Sequence, residues 1–316
     1  MPELGSGTSV PCPGAVVGCF VGCALTCTTL VPVNLPSPRA PLDLTALQEA
    51  AGPGWTVRLH EAAGSTNALA AAAPERGLVL VADHQTSGRG RLGRAWVTPP
   101  GAALTFSAVV DPVVDDEWWP LVPLVAGYAV ARTVRGSVKW PNDVLLGEHK
   151  VCGVLVERVQ VGAHGGEKPL AVVGIGINVD QTEDELPVTT ATSLALATGP
   201  ADRTELFGDV LRELRRCLGT LAASPHTFVA GYRALCTTLE RDVRVDLPDG
   251  SVLEGRATEI DDHGRLVVSP PWDGTPAGPG PVTGVAVAAG DVVHVRPGGI
   301  SPRPQPAARR PGDDRG

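Results

Sequence analysis

Three clusters in the sequence carry side chains suited to handling an anion. Gly88-Arg89-Gly90-Arg91-Leu92-Gly93-Arg94, followed by Trp96, sets three arginines among three glycines. Glycines let the backbone approach a ligand and take positive φ. Each guanidinium offers a planar fork for a phosphate or carboxylate. Lys139-Trp140-Pro141-Asn142-Asp143 brings a lysine, an amide and a carboxylate into five residues. Such groups are costly to bury unless they satisfy one another or a polar ligand. Pro141 keeps Trp140 out of helical geometry, so this segment is an extended turn. Lys150 then opens an apolar run, Val151-Cys152-Gly153-Val154-Leu155-Val156, that ends at Glu157. Strict alternation puts Lys150, Cys152, Val154 and Val156 on one strand face, where the lysine is a compact point charge. Gly153 leaves space beside that strand, and Gly174 and Gly176 in Gly174-Ile175-Gly176-Ile177-Asn178 do so beside the next.

Gly88, Gly90 and Gly93 also fit G-x-G-x-x-G after a strand. A dinucleotide site of that kind needs a helix to start at the glycines, because its N-terminus holds the pyrophosphate. Here the chain runs through Trp96-Val97-Thr98 into Pro99-Pro100-Gly101, which leaves no room for a helix. A glycine- and arginine-rich loop that closes on an anion, and is mobile without one, fits better.

These groups must be positioned by surrounding elements. Asp43 caps a helix over 44–51, which Gly52-Pro53-Gly54 ends. Strands are expected over 56–60, 78–83, 103–111, 144–146, 151–159 and 170–178. Ser65 and Thr66 precede an alanine-rich helix to Ala73. Further helices are expected over 118–134, 203–221 and 226–239. Strands with helices packed on them, without strict βαβ alternation, give an α+β class. After Glu240 come about five short strands (243–247, 252–260, 266–269, 285–287, 292–295), which suggest a small barrel. The domains so defined are a catalytic unit over 41–239 and a barrel over 240–297. A poorly ordered extension over 1–40 and a disordered tail over 298–316 flank them. A Pro/Gly-rich insert over 270–281 interrupts the barrel.

Composition bounds what this arrangement can do. A chain of 316 residues, 43% hydrophobic and 19% charged, with mean hydropathy +0.09, describes a soluble protein of about two domains. The net charge of −8 argues against a general nucleic-acid binder. Seven cysteines without a framework spacing point to a reducing cytoplasm. Cys12, Cys19, Cys23 and Cys27 have no histidine beside them and make a poor metal site. The apolar stretch over 15–33 lacks the basic flank of a signal peptide, and its prolines argue against a membrane span. Only three of the 26 basic residues are lysine. Two of them, Lys139 and Lys150, fall inside the clusters above; Lys168 looks incidental.

Taken in order, Ser65-Thr66-Asn67, Gln85 with Gly-Arg-Gly-Arg, Lys-Trp-Pro-Asn-Asp, Lys-x-x-Gly-x-Leu-x-Glu and Gly-Ile-Gly-Ile-Asn resemble the biotin protein ligases over residues 41–297. The resemblance implies a class II synthetase-like mixed sheet with packed helices and an SH3-like C-terminal barrel. It implies a two-step reaction with ATP and Mg²⁺: biotin and ATP give biotinyl-5′-AMP and pyrophosphate, and a lysine of a biotin carboxyl carrier domain then takes the biotin. By the same resemblance Ser65, Thr66, Asn67 and Gln85 line the biotin head. Gly88, Arg89, Gly90 and Arg91 close over the adenylate, with Arg89 and Arg91 catalytic. Lys150, also catalytic, meets the biotin carboxylate and the α-phosphate. Arg91, Arg94, Trp96, Lys139, Asn142, Asp143 and Asn178 form the nucleotide side, and Gly153, Gly174 and Gly176 let biotin lie on the sheet. The metal ligands are unknown. Leu92 stands where the family often has another arginine, and Cys152 is expected beside the site, open to thiol reagents. The first 40 residues hold one basic residue, so neither DNA nor a membrane is an expected partner, while a homodimer through a sheet edge is left open. Two alternatives stand: a lipoate or octanoate ligase, which would share the lysine but lack Gly-Arg-Gly-Arg, and a non-enzymatic biotin-binding module, which would not need Lys139, Asn142 and Asp143.

Overall fold

The long apolar runs become the central strands of one sheet. In the computed structural model, which describes residues 39–161, 168–269 and 284–294, seven strands pair in the order β1-β2-β5-β9-β8-β7-β6. They are β1 (Thr56–Ala63), β2 (Leu78–Gln85), β5 (Ala103–Val110), β6 (Ser137–Lys139), β7 (Asp143–Leu146), β8 (His149–Val159) and β9 (Leu170–Asn178). Only β1 and β2 run parallel; the remaining pairs are antiparallel. β5 and β9 are buried along nearly their whole length, which explains their mostly apolar character.

Helices cover one face. α1 (Leu44–Ala51), α3 (Val122–Val134), α5 (Arg203–Ala223) and α6 (Pro225–Leu235) supply core residues such as Leu47, Val125, Phe207 and Tyr232 against Phe106, Ile175 and Ile177. α2 (Thr66–Ala72) packs on the opposite face, in a smaller cluster with Leu78, Leu80, Val109 and Val172. Its N-cap is Ser65, whose Oγ accepts from Ala68 N. A short α4 (Leu194–Ala197), not foreseen in the sequence, follows β9.

A five-stranded antiparallel sheet completes the described chain, in the order β13-β12-β11-β10-β14. Its strands are β10 (Asp242–Asp246), β11 (Val252–Ile260), β12 (Leu266–Ser269), β13 (Val285–Val287) and β14 (Asp291–His294). Val243, Val245, Ile260 and Val292 join the same continuous core as the large sheet. The expected extension (except Arg39 and Ala40), the four N-terminal cysteines, the insert over 270–281 and the tail from 298 lie outside the described residues.

Four local expectations change. The helix over 118–134 begins only at Val122. Residues Asp116–Leu121 form a tighter 3₁₀ turn around Pro120, which has no N–H to give to an α-helix. The helix over 226–239 stops at Leu235, because Thr237 N turns to Val138 O and Cys236 bridges the edge strand β6. The glycine–arginine stretch is a hairpin rather than an irregular loop: β3 (Gly88–Arg89) pairs with β4 (Ala95–Trp96) around a turn closed by Gly90 N to Arg94 O at 2.7 Å. Finally, strict alternation fails at the start of β8. Val144 pairs with Cys152 but Leu145 pairs with Lys150, so Val151 is an extra residue. This bulge turns Val151 and Cys152 into the core together and re-aims Lys150 to the face of Gly153.

Candidate active site

A cleft of about 840 Å³, open solvent at its mouth included, lies on the sheet face that α2 leaves uncovered. Fifteen of the residues picked out in the sequence line it: Ser65, Thr66, Asn67, Gln85, Arg89, Gly90, Arg91, Arg94, Trp96, Asn142, Asp143, Lys150, Gly153, Gly174 and Gly176. They come from the start of α2, the end of β2, the β3–β4 hairpin, the turn into β7, the first half of β8 and the middle of β9.

At one end the groups are neutral hydrogen-bonders. Gln85 Oε1 accepts from Thr66 N at 2.8 Å, which turns the Gln85 amide nitrogen toward the hairpin, where a Cβ on Gly88 would come within 3.0 Å of it. Ser65, Thr66, Asn67 and Gln85 are all buried. At the other end the groups are charged. Lys150 Nζ lies 2.6 Å from Asp143 Oδ1, and Gly153 leaves that ammonium its space: a Cβ there would sit 3.3 Å from Nζ. Arg91 Nη1 donates to Asn142 Oδ1 at 3.3 Å, and burial holds its guanidinium below the ordinary arginine range. Asn142 Nδ2 is spent on Val154 O at 3.0 Å. Arg94 pairs with Asp291 at the start of β14, so the hairpin is tied to the small sheet. That tie and the hairpin bonds give the loop a basis for order that its composition does not suggest.

The glycine floor also makes room for side chains of the protein. A Cβ on Gly174 would stand 2.1 Å from Asn67 Oδ1. One on Gly176 would stand 2.6 Å from the Trp96 ring. Part of the clearance over these strands is therefore taken by two side chains of the protein itself, Asn67 and Trp96, while both glycines still line the cleft. Trp96 Nε1 is buried there without a protein partner, as a donor held for a ligand would be.

Three residues picked out in the sequence do not line the cleft. Gly88 pairs with Trp96 behind it. Asn178 is buried, with its amide meeting Thr192 O and Gln181 Nε2, both at 2.9 Å, so it pins the segment after β9. Lys139 lies deeper, with burial pushing its ammonium below the ordinary lysine range and the charge of Asp143 opposing that. Cys152 is corrected too: the bulge puts it fully in the core, where burial raises its thiol far above the ordinary range. We expect it to resist thiol reagents in the folded protein. Mass spectrometry after brief maleimide exposure, with and without denaturant, checks this; native labelling of Cys152 would refute it.

Three further groups at or behind the cleft have no role assigned from the sequence. Ser107, fully buried in β5, bonds Thr66 and Asn67. Glu157 accepts from Asn67 Nδ2 at 2.8 Å. Asp291 reaches the cleft from the small sheet. Ser107 has no local signal at all, whereas Glu157 was visible as the end of the Lys150 motif.

A cleft with neutral hydrogen-bonders at one end and clustered cations at the other, on a mixed sheet with a small antiparallel sheet behind it, is the architecture of an acid-activating ligase. The chain belongs to the biotin/lipoate A/B protein ligase family, whose model matches residues 62–178. A biotin–[acetyl-CoA-carboxylase] ligase of Mycobacterium tuberculosis is 37% identical over 280 residues, covering 82% of this chain and 97% of the relative. A bifunctional ligase/repressor of Bacillus spizizenii is 36% identical over 209 residues, and this chain spans 62% of its length. Among solved structures, the biotin protein ligase of Aquifex aeolicus in complex with biotin and ATP matches with a TM-score of 0.62 at 27% identity, over 76% of this chain and 99% of that one.

Proposed function

We infer that this chain is an ATP-dependent biotin protein ligase. It joins biotin to AMP with release of pyrophosphate, then passes the biotin to a lysine of a biotin carboxyl carrier domain. One observation carries the reading: a single cleft holds a buried amide–hydroxyl end and, along the same strand face, Lys150 and Arg91. The first suits a ureido head, with Ser65, Thr66 and Gln85 as its hydrogen-bond partners. The second suits the point where a carboxylate meets the α-phosphate.

The biotin carboxylate is a nucleophile at neutral pH, so the chain needs no strong base. Its work is positioning and charge. Lys150 draws carboxylate and phosphate together, and Asp143 holds its ammonium in place before the ligands arrive. Arg91 neutralises charge on the phosphates, and Asn142 aims it. Trp96 walls the cleft and keeps water from the mixed anhydride. Arg89 and Arg94 stand in the hairpin over the nucleotide, with Lys139 beneath it.

Mg²⁺ would enter with ATP. Among the described residues no group of three or more His, Cys, Asp or Glu side chains could hold a metal alone. Asp143 and Asp291 both line the cleft, which fits an ion held mainly by phosphate oxygens and water with one or two carboxylates. Bound there, it would supply neutralising charge to the phosphates. No helix among the described residues is long and apolar enough to cross a membrane. The described cysteines are free and buried, which supports a reducing cytoplasm.

Pyrophosphate exchange tests the reading. Exchange into ATP is expected with biotin and not with lipoate, whose dithiolane gives the amide–hydroxyl end nothing to bond. Exchange with lipoate alone would overturn the assignment.

A further inference from the structure

The hydrogen bonds behind the neutral end of the cleft have a fixed direction, and that direction limits what the site accepts. Asn67 Nδ2 lies 3.2 Å from Leu155 O and 2.8 Å from Glu157 Oε2, both acceptors. The amide is therefore oriented with its nitrogen there, and its oxygen faces Ser107 Oγ at 2.6 Å. An amide oxygen has no hydrogen, so Ser107 must supply the one in that contact. Ser107 has only one hydrogen, yet its Oγ also lies 2.7 Å from Thr66 Oγ1. The hydrogen in that second contact must come from Thr66. Gln85 Oε1 accepts from Thr66 N at 2.8 Å and is a second, longer acceptor for the Thr66 hydroxyl at 3.3 Å, which the 2.7 Å contact to Ser107 outcompetes.

We propose that Ser107 is a positioning residue for ligand specificity. With Asn67 and Glu157 behind it, it commits the Thr66 hydroxyl hydrogen inward and presents only Thr66 lone pairs to the ligand. The chain Thr66–Ser107–Asn67–Glu157 ends on a carboxylate, and each bond polarises the next in one direction. Facing the cleft, Thr66 then accepts an N–H and repels an oxygen placed at the same point. Gln85 Nε2 supplies donors a few ångströms away. The favoured ligand carries an N–H beside a carbonyl, as a cyclic urea does. This deepens the biotin ligase reading and rests on it. No residue of the chain behind Thr66 needs to touch the ligand.

The experiment is calorimetric titration of the full-length protein, without ATP, by biotin and by its two cyclic carbamate isosteres, in which one or the other ureido N–H is replaced by oxygen. The wild type is expected to bind biotin and reject the isostere with oxygen at Thr66 by about a hundredfold or more, because the swap removes a bond and opposes two lone pairs. In Ser107→Ala the Thr66 hydrogen loses its acceptor at 2.7 Å and keeps inward only the long 3.3 Å contact to Gln85 Oε1, so it is free to turn to the ligand. Biotin should weaken by about tenfold while that isostere does not weaken, so the ratio shrinks by about tenfold or more. Glu157→Ala, at an exposed position, should shift the ratio the same way by about threefold and decides the matter if Ser107→Ala does not fold. Equal weakening of biotin and isostere in both variants, or an unchanged ratio in Glu157→Ala when Ser107→Ala does not fold, would mean a purely structural role and overturn the proposal. A wild type that binds biotin and both isosteres alike overturns the proposal but leaves the ligase reading standing. A wild type that binds none of the three removes both.

Discussion

Lys150→Ala is expected to lower biotin-dependent ATP–pyrophosphate exchange by about 10²–10³-fold, in line with the loss of one preorganised charge at a forming bond. The ammonium lies 2.6 Å from Asp143 Oδ1 in a cleft it shares with Arg91. When a carboxylate approaches a phosphate, two anions must come together, and Lys150 is the compact charge aimed there by the β8 bulge. Its place in the fold makes the effect separable from stability. The Lys150 side chain is 35% exposed and its partner 21%, so the ion pair itself is worth no more than about 1 kcal/mol to folding. Thermal unfolding of the variant should stay within a few degrees of wild type. Lys150→Arg should not restore the rate. The space beside Gly153 is cut to an ammonium, with 3.3 Å between Nζ and the position of a Cβ, and a planar guanidinium is larger and differently directed. Exchange at wild-type rates in Lys150→Ala would refute this role.

Lys150 also shows where sequence pattern stops being a guide. Its presence, its motif and the strand that carries it are all legible. Its direction is not, because alternation assumes a regular strand, and one extra residue at Val151 moves the lysine to the opposite face. The same bulge removes Cys152 from the site. The sheet strands themselves were readable because β5 and β9 are mostly apolar, and α1 and α2 because Asp43 and Ser65 cap them. The hairpin was hidden because two-residue strands have no periodicity to detect. Ser107 was hidden for another reason. A lone serine in an apolar strand has no meaning until the fold brings Thr66 and Asn67, some forty residues away, onto its hydroxyl. Local chemistry was legible; partners supplied by register were not.

The small sheet is expected to act on the site through Trp140. Only 1% exposed, Trp140 donates its backbone N–H to Thr238 Oγ1 at 3.0 Å and its indole Nε1–H to Gly264 O at 2.9 Å, in the turn between β11 and β12. His294, in β14, sits 3.2 Å from the same Thr238 hydroxyl. The turn that carries Lys139, Asn142 and Asp143 thus hangs on an indole clamped by the C-terminal sheet. Trp140→Ala should cost about 3–5 kcal/mol through the cavity and the stranded carbonyl, lowering the melting temperature by about 10 °C or more. Trp140→Phe keeps most of the ring but not the N–H, and should cost about 1–3 kcal/mol. The second variant isolates function. With the turn loosened, KM for ATP should rise several-fold. KM for biotin should hold, because Ser65, Thr66 and Gln85 stand on α2 and β2, which the clamp does not touch. Steady-state exchange kinetics well below the melting temperature would show the split. Equal increases in both KM values would mean that Trp140 supports the fold generally rather than the nucleotide end of the cleft.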